Sequence, residues 1–378
     1  MQRAARVIYC RAICLALLIC FPAHAGDKNP HDFELKGLLQ LDADWFGEFY
    51  DNAAQTSSEQ EVRRARISAH YRYRKDWKAE VSVQYRDRGD DVDLNDAYIR
   101  YDGFKPFDIT VGKFKQPFGM ERLEGAKRRA TMERSMTSEL LTPDRALGVQ
   151  FAKQKKDYTW AVGVFQDDDE DDRFTRSAPQ SITGRATYAP QHNKEQTLHF
   201  GVAGSYRDWK SNLFDARSRA EVSTANNVVR SARFLADSQW LFGVEAAWQR
   251  GSLLLKSEYM QSEVDASGFE QQFSYSGFYL QSSFFLTGER RKYKKGEFGR
   301  VKPKKHFGAF ELVARHGEID LRDNGVGAQS SVTLLGLNYH WRKNVKIMLN
   351  VLHPEIKGDT RHSRTEGDAF TLRLEYRL

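Results

Sequence analysis

The sequence predicts an all-β fold, a transmembrane antiparallel β-barrel of about 16 strands with one loop folded into its lumen. Three observations carry that expectation. The chain opens on an export signal; segments that alternate apolar and polar residues recur from there to the last residue; and no run of 18 apolar residues follows the signal, which excludes a membrane-spanning helix. A barrel strand crosses a bilayer while only half apolar, because successive side chains face lipid and lumen in turn. A mean hydropathy of −0.66 therefore fits a membrane protein of this class.

The export signal comprises Arg3, Arg6 and Arg11, an apolar run from Ala12 to Phe21, and Ala23-His24-Ala25 as a small-residue cleavage site. Residues 1–25 are thus expected to be a signal peptide, and residues 26–378 the barrel. Ile19 is too bulky for a lipoprotein signal at Cys20. Because Cys10, Cys14 and Cys20 all precede the cleavage site, the mature chain is expected to use neither disulfides nor thiolate metal sites. The whole chain holds 58 basic and 51 acidic residues for a net charge of +7. Loss of the three signal arginines leaves +4.

Taken in order, the first strand candidate spans Lys36 to Phe46, with Leu39, Leu41, Ala43 and Trp45 opposite Gln40, Asp42 and Asp44. In the second, Val62 to Arg74, the residues Ile67, Ala69, Tyr71 and Tyr73 share one face. Arg64, Arg66, Arg72 and Arg74, with Ser68 and His70 between them, share the other, and this reads as a basic row lining a pore. Lys78 to Arg88, Asp93 to Tyr101 and Phe107 to Phe114 follow as meander hairpins. The alternation resumes at Leu147 to Phe151 and Trp160 to Val164. Nine further candidates run from Ser181 to Leu378, which brings the count to about 16, and even strand numbers suit a closed bacterial barrel with both termini on the periplasmic side. Short turns at Lys75, Gly103, Lys155, Arg250-Gly251 and Arg342-Lys343 fall where periplasmic turns belong. Thr287 to Lys305, long and basic, does not fit that scheme. Trp45, Tyr71, Tyr73, Tyr85, Trp240 and Tyr376 lie on the outward parity, as membrane-interface girdles require. No linker, repeat or second domain interrupts the pattern.

One long stretch between the fifth and sixth strands, about residues 115–146, alternates nowhere. From Lys113 to Arg134 it holds seven basic residues (Lys113, Lys115, Arg122, Lys127, Arg128, Arg129, Arg134) against Glu121, Glu124 and Glu133, an excess of +4 that equals the surplus of the mature chain. A loop of this length within a regular sheet is commonly functional. The expectation is a constriction loop that brings Arg122, Lys127, Arg128, Arg129 and Arg134 toward the arginine row, since rings of Arg and Lys select anions and phosphate. Arginine suits phosphate because its fork donates two parallel hydrogen bonds and keeps its charge.

Other chemistry finds little support. Asp167 to Asp172 lacks EF-hand spacing, the ten histidines form no HExxH, and neither a GxSxG nor a phosphate loop is present, so no enzyme, metal or cofactor is expected. His70 and His340 read as ordinary lumen residues. With the excess confined to one loop, a nucleic-acid partner is not expected either. The competing class is a surface interaction protein, a barrel plugged by its loop with Trp209 to Ala236 as an adhesive surface, or a general porin without phosphate preference.

VRRARI (Val62 to Ile67), DAYIRYDGFKPFDITVGKFKQPFGMERL (Asp96 to Leu123), TMERS (Thr131 to Ser135), GRATYAP (Gly184 to Pro190) and DSQWLFGVEAAWQRG (Asp237 to Gly251) together resemble the phosphate- and pyrophosphate-selective outer-membrane porins, the O/P porins. The resemblance implies a homotrimer of 16-stranded barrels in the bacterial outer membrane, surrounded by its lipids, that passes phosphate or a similar inorganic anion. By position it implies anion-binding roles for Arg63, Arg64, Arg122 and Arg134, and for an acidic residue at Asn95 or Asp96. Arg64 faces inward by parity, whereas Arg63 needs a bulge to join it. Where phosphate-specific members carry a Ser-Ser pair in the loop, this chain has Gly125-Ala126. The C-terminal strand ends in Leu378 rather than an aromatic residue, although Phe370, Leu372, Leu374 and Tyr376 keep the outward pattern.

Overall fold

A computed structural model describes residues 31–50, 57–87, 91–167, 178–193, 195–268, 270–358 and 364–378. The proposed signal peptide and Asp168 to Asp172 of the acidic run lie outside them. The strands are β1 (His31–Phe46), β2 (Ser57–Tyr73), β3 (Trp77–Arg86), β4 (Asp91–Tyr101), β5 (Asp108–Lys115), β6 (Arg145–Gln154), β7 (Tyr158–Gln166), β8 (Gln180–His192), β9 (Gln196–Phe214), β10 (Arg217–Ser218), β11 (Val229–Arg230), β12 (Phe234–Arg250), β13 (Leu253–Ala266), β14 (Gln272–Phe285), β15 (Tyr293–Lys294), β16 (Glu297–Phe298), β17 (Ala309–Asp320), β18 (Ala328–Trp341), β19 (Val345–Gly358) and β20 (Ala369–Arg377). All but β10, β11, β15 and β16 form one closed antiparallel barrel of 16 strands, sealed where β1 pairs with β20 from Leu38↔Arg377 to Phe46↔Ala369. The four short strands make two small ribbons, β10 with β11 and β15 with β16.

Alternation along the wall explains why the strands form. On β12, Trp240, Phe242 and Val244 are exposed on the outside, while Gln239, Leu241, Glu245 and Gln249 are buried within. Aromatic pairs cross neighbouring strands, Trp77 with Tyr101 at strand ends and Tyr206 with Trp240 within the strands, at 4.7 and 4.8 Å between ring centroids. Many polar residues buried in the lumen find partners in one another, as Gln40 with Glu375 and Gln239 with Ser262.

Three connections turn inward and fill much of the lumen. The first is the loop 116–144. The second, 215–233, contains the β10–β11 ribbon and buries Val222, Ala225, Val228 and Val229 against the inner wall. Trp209 to Ala236 is thus a folded lumenal segment rather than the adhesive surface of the competing reading. Its tip is seated by Tyr50 donating to the Ala220 carbonyl at 3.1 Å, by Thr224 donating to Asp44 at 2.8 Å, and by Ser218 donating to Glu139 at 2.7 Å.

The third inward connection resolves the long turn that broke the periplasmic pattern. Between β14 and β17 the chain folds back into the barrel through the β15–β16 ribbon, where Phe298 packs on Met120, Ala247 and Leu254. Tyr293 shares a 2.7 Å hydrogen bond with His199, whose other ring nitrogen lies 2.8 Å from Glu245. Arg291 donates to Glu311 at 2.7 Å. Of the turn's basic residues, Arg291 thus meets an inward carboxylate of β17.

Candidate functional site

Gln116 begins the constriction loop, its side-chain oxygen accepting from Ser181 and Thr183 of β8 at 3.0 and 2.6 Å. Gly119 has φ +67, a left-handed conformation, and a side chain there would press within 3.1 Å of Glu258. The resulting bend aims the N–H groups of Met120 and Glu121 at the Glu258 carboxylate, 2.6 and 2.8 Å away. Farther on, Lys256 pairs with Glu124 at 2.8 Å, Asn338 donates to the Ala130 carbonyl at 2.7 Å, and Lys346 donates to that of Arg129 at 2.7 Å.

Two arginines of late strands fasten the rest. Arg315 of β17 is buried and reaches Glu121 and Thr131, each at 3.0 Å, as well as Glu221 of the 215–233 loop. Arg373 of β20 donates to the Met132 carbonyl and to Glu133, both at 2.6 Å, and pairs with Asp42. Glu121 is held below the usual carboxylate range: burial opposes ionisation, but Arg315 and Lys256 outweigh it.

The opposite face of the loop borders a cavity of about 930 Å³. Among the described residues, thirteen Lys and Arg side chains and seven carboxylates line it, so its lining is strongly positive. Across it stand β2, β3 and β4.

The sequence-predicted residues fall into three groups. On β2, Gln40 pairs with Arg64 and Leu41 with Val62, so Arg63 is the extra residue of a β-bulge and both arginines reach the lumen. They do not stand free, because Glu133 takes both Arg63 nitrogens at 3.0 Å and lies 3.6 Å from Arg64. Three arginines, counting Arg373, hold Glu133 well below the usual carboxylate range against the opposing effect of burial. Asp96 behaves similarly. Ser82 pairs with Asp96 and Val83 with Leu94, which makes Asn95 the bulged residue and turns Asp96 inward, where Arg145 grips it at 3.0 and 3.2 Å. Arg66 also lines the cavity and donates to Gln84 at 3.1 Å.

Arg122 and Arg134 form the second group. Arg122 pairs with Asp144 at 2.5 Å. Arg134 touches only the carbonyls of Glu121 and Arg122, both at 3.4 Å, with no carboxylate in ion-pair range among the described residues. Burial, with the charges of Arg129 and Arg122, presses its pKa well below the guanidinium norm. A guanidinium does not deprotonate in proteins, so that pressure amounts to a cost of holding the charge, and a negative ligand would relieve it.

The third group lies elsewhere. Lys127 is half-buried, outside the cavity lining, where burial and the nearby charges of Lys36 and Arg377 lower its pKa. Arg72 is exposed beside Asp32 at 3.6 Å. Arg74 departs from the expected row altogether: β2 ends at Tyr73, and Arg74 occupies the turn with φ +53, its guanidinium 5.2 Å over the Tyr73 ring. Parity carried past the strand end misplaced it.

Sequence reasoning assigns no site role to Lys115, Arg315 or Arg373. Lys115 donates to the Arg122 carbonyl at 2.6 Å and borders the cavity. Arg129, 2% exposed, has Nε and Nη1 without hydrogen-bond partners among the described residues. Within a loop no parity announces such roles. Arg315 and Arg373 were accessible to parity, since each lies opposite the outward face of its strand. Gly125 and Ala126 both border the cavity, so their lack of hydroxyls falls where an anion would pass.

Residues 33–378 match the family described as phosphate-selective porin O and P. The chain belongs to this family. Porin O of Pseudomonas aeruginosa is 28% identical over 93% of this chain and 90% of its own length. Among solved structures, OmpT of Vibrio cholerae aligns with a TM-score of 0.61 at 10% identity, over 94% of this chain and all of that one. An anion-selective porin from Comamonas acidovorans aligns at 0.56 and 9% identity, over 92% and 100%. The protein is an outer-membrane porin, a channel rather than an enzyme.

Proposed function

We propose that this porin is a passive, anion-selective channel for phosphate or a similar inorganic oxyanion, working as a homotrimer in the outer-membrane lipid. The observation that carries the reading is the cavity face of the constriction loop, where Arg122, Arg134, Lys115 and Arg129 converge and Asp144 is the nearest opposing carboxylate. At an effective dielectric near 20, an anion about 4 Å from one such charge gains roughly 4 kcal/mol. Several such charges exclude cations from a narrow passage.

Arg63, Arg64 and Asp96 serve this site from the opposite wall. Arg63 and Arg64 share Glu133 with Arg373, and Arg63 also lies 3.7 Å from Glu61, so the charge of the pair is only partly met. Arg66 extends that potential along β2. Lys127, Arg72 and Arg74 act, if at all, outside the narrowing. With Gly125 and Ala126 in the loop, recognition rests on charge more than on neutral hydrogen bonds, and phosphate is distinguished from chloride less sharply than hydroxyl donors would allow.

The reversal potential of the purified protein in a planar bilayer under a potassium chloride gradient tests the reading. An anion-selective value is expected, and a cation-selective value ends it. Chemical cross-linking in detergent tests the trimer, with a three-chain species expected.

A further inference from the structure

Asp144 closes the constriction loop, and its side chain is not what joins the loop's two ends. Its backbone carbonyl accepts from the Gln116 N–H at 3.3 Å, which clamps the two ends of the loop together without the carboxylate. The carboxylate is 65% exposed, although only to lumen water deep within the barrel. There it reaches Arg122 at 2.5 Å and stands 3.8 Å from Arg145. Arg145 does not depend on it, having both oxygens of Asp96.

Among the described residues, the other carboxylates that pair with a loop arginine or with Arg63 and Arg64 are less open: Glu297, beside Arg128, is 46% exposed, and Glu133 is mostly buried. Glu121 and Glu133 have side chains 1% and 15% exposed, and both join two or more structural elements. Asp144 is the most open of them, and it is bonded to Arg122, which faces the cavity beside Arg134. Burial raises the energy of its charged form, yet Arg122, Arg145 and Arg134 together hold it well below the usual carboxylate range. It therefore stays ionised.

We propose that Asp144 is a tethered counter-ion: its carboxylate occupies Arg122 when no anion is present, and a permeating anion must displace it. This rests on the anion-channel reading. A tethered competitor acts at a fixed, high effective concentration whatever the ionic composition outside. A conducting site must bind strongly enough to admit an ion and weakly enough to release it, and Asp144 supplies the second half of that requirement. It shortens the stay of the anion on Arg122, returning the guanidinium to an internal partner as the anion leaves.

The test is block of single-channel chloride current by inorganic phosphate, measured for the native protein, Asp144→Asn, Asp144→Glu, Arg122→Ala and the Arg122→Ala/Asp144→Asn pair. Asp144→Asn is expected to lower the half-blocking phosphate concentration by roughly fivefold to tenfold, just under the weakest close charge pairs at recognition sites, as suits a pair open to water. Asp144→Glu, which keeps the charge, should stay within about twofold of native. In the Arg122→Ala background the Asn substitution should lose most of its effect, because the competition has no target. Unchanged or weaker block in Asp144→Asn, with native anion selectivity intact, overturns this proposal alone and makes Asp144 a scaffold for Arg122. A full Asn effect in the Arg122→Ala background also overturns it, since Asp144 would then act as a general field. A cation-selective native channel overturns the underlying reading and this proposal together. Heat-modifiable migration on gels confirms that each variant is folded before block is measured.

Discussion

The two faces of the constriction loop are made of the same residue types and behave in opposite ways. On the wall side, Glu121, Glu124 and Glu133 meet Arg315, Lys256 and Arg373 in close pairs. On the cavity side, Arg122 has one water-exposed carboxylate, and Arg134 and Lys115 have only carbonyl oxygens. Charge on the first face serves as a fastener. On the second it is left partly unmet, which raises the energy of the empty site and favours a ligand of opposite sign. The lesson is that basic residues in a lumen are not equivalent, and that counting them says less than asking which carboxylate each already holds.

The largest expected effect comes from breaking the fastened face. Arg315→Ala strands Glu121 and Glu221 without their guanidinium, and removal of one partner from a buried ionic cluster costs about 3–5 kcal/mol. The variant should lose native gel mobility at a lower temperature and show larger, noisier single-channel conductance as both inward loops loosen. Unchanged conductance would mean the backbone contacts suffice.

Next comes the open face. Arg122→Ala combined with Arg134→Ala should move the reversal potential toward that of a non-selective pore while thermal stability changes little, because neither side chain bears a structural ion pair with the barrel wall. A loss of stability without loss of selectivity would reverse the assignment of the two faces.

A pH experiment sharpens the same contrast. Arg315 lies between two buried carboxylates and cannot fully compensate both. Glu221 is the one left short: burial, with Glu121 and Glu139 adding to it, raises its pKa to about 7 from 4.5, although Arg315 works the other way. A carboxyl raised on seating contributes stability that is full below about pH 4.5 and is lost as pH rises through about 7. The 215–233 loop should therefore be better seated at pH 5 than at pH 8, seen as quieter current at the lower pH. Glu221→Gln should abolish that difference.

The smallest effect is expected from Gly125→Ser with Ala126→Ser. Each hydroxyl adds a neutral donor beside the open face, worth about 0.5–1.5 kcal/mol net. Phosphate block should strengthen several-fold and chloride-over-potassium preference should hold.

Legibility in the sequence followed the periodicity. All sixteen barrel strands stand near their expected places, because a residue's parity states which side of the wall it faces: Ile67 and Ala69 outward, Arg64 and Arg66 inward. Bulges at Arg63 and Asn95 break parity by one residue, and only the structure shows which neighbour takes the inward place. The loops carry no period at all. That Arg129 is buried, that Lys127 turns away from the cavity, and that Trp209 to Ala236 folds inward all depend on partners far off in sequence. Glu133 illustrates the limit: its three arginines come from β2 and β20, more than 60 residues to one side and 230 to the other.

The Arg373 contacts carry a consequence for biogenesis. The constriction loop is synthesised in the first half of the chain, yet Met132 and Glu133 are gripped by a residue five positions from the last, 241 and 240 residues away. Arg373 reaches its place only when β20 closes against β1. Sealing the seam thus adds the last fastening of a loop that β13, β17, β18 and β19 already hold. A barrel still missing its final strand has both a gap in its wall and a loop without the Arg373 grip at Met132 and Glu133.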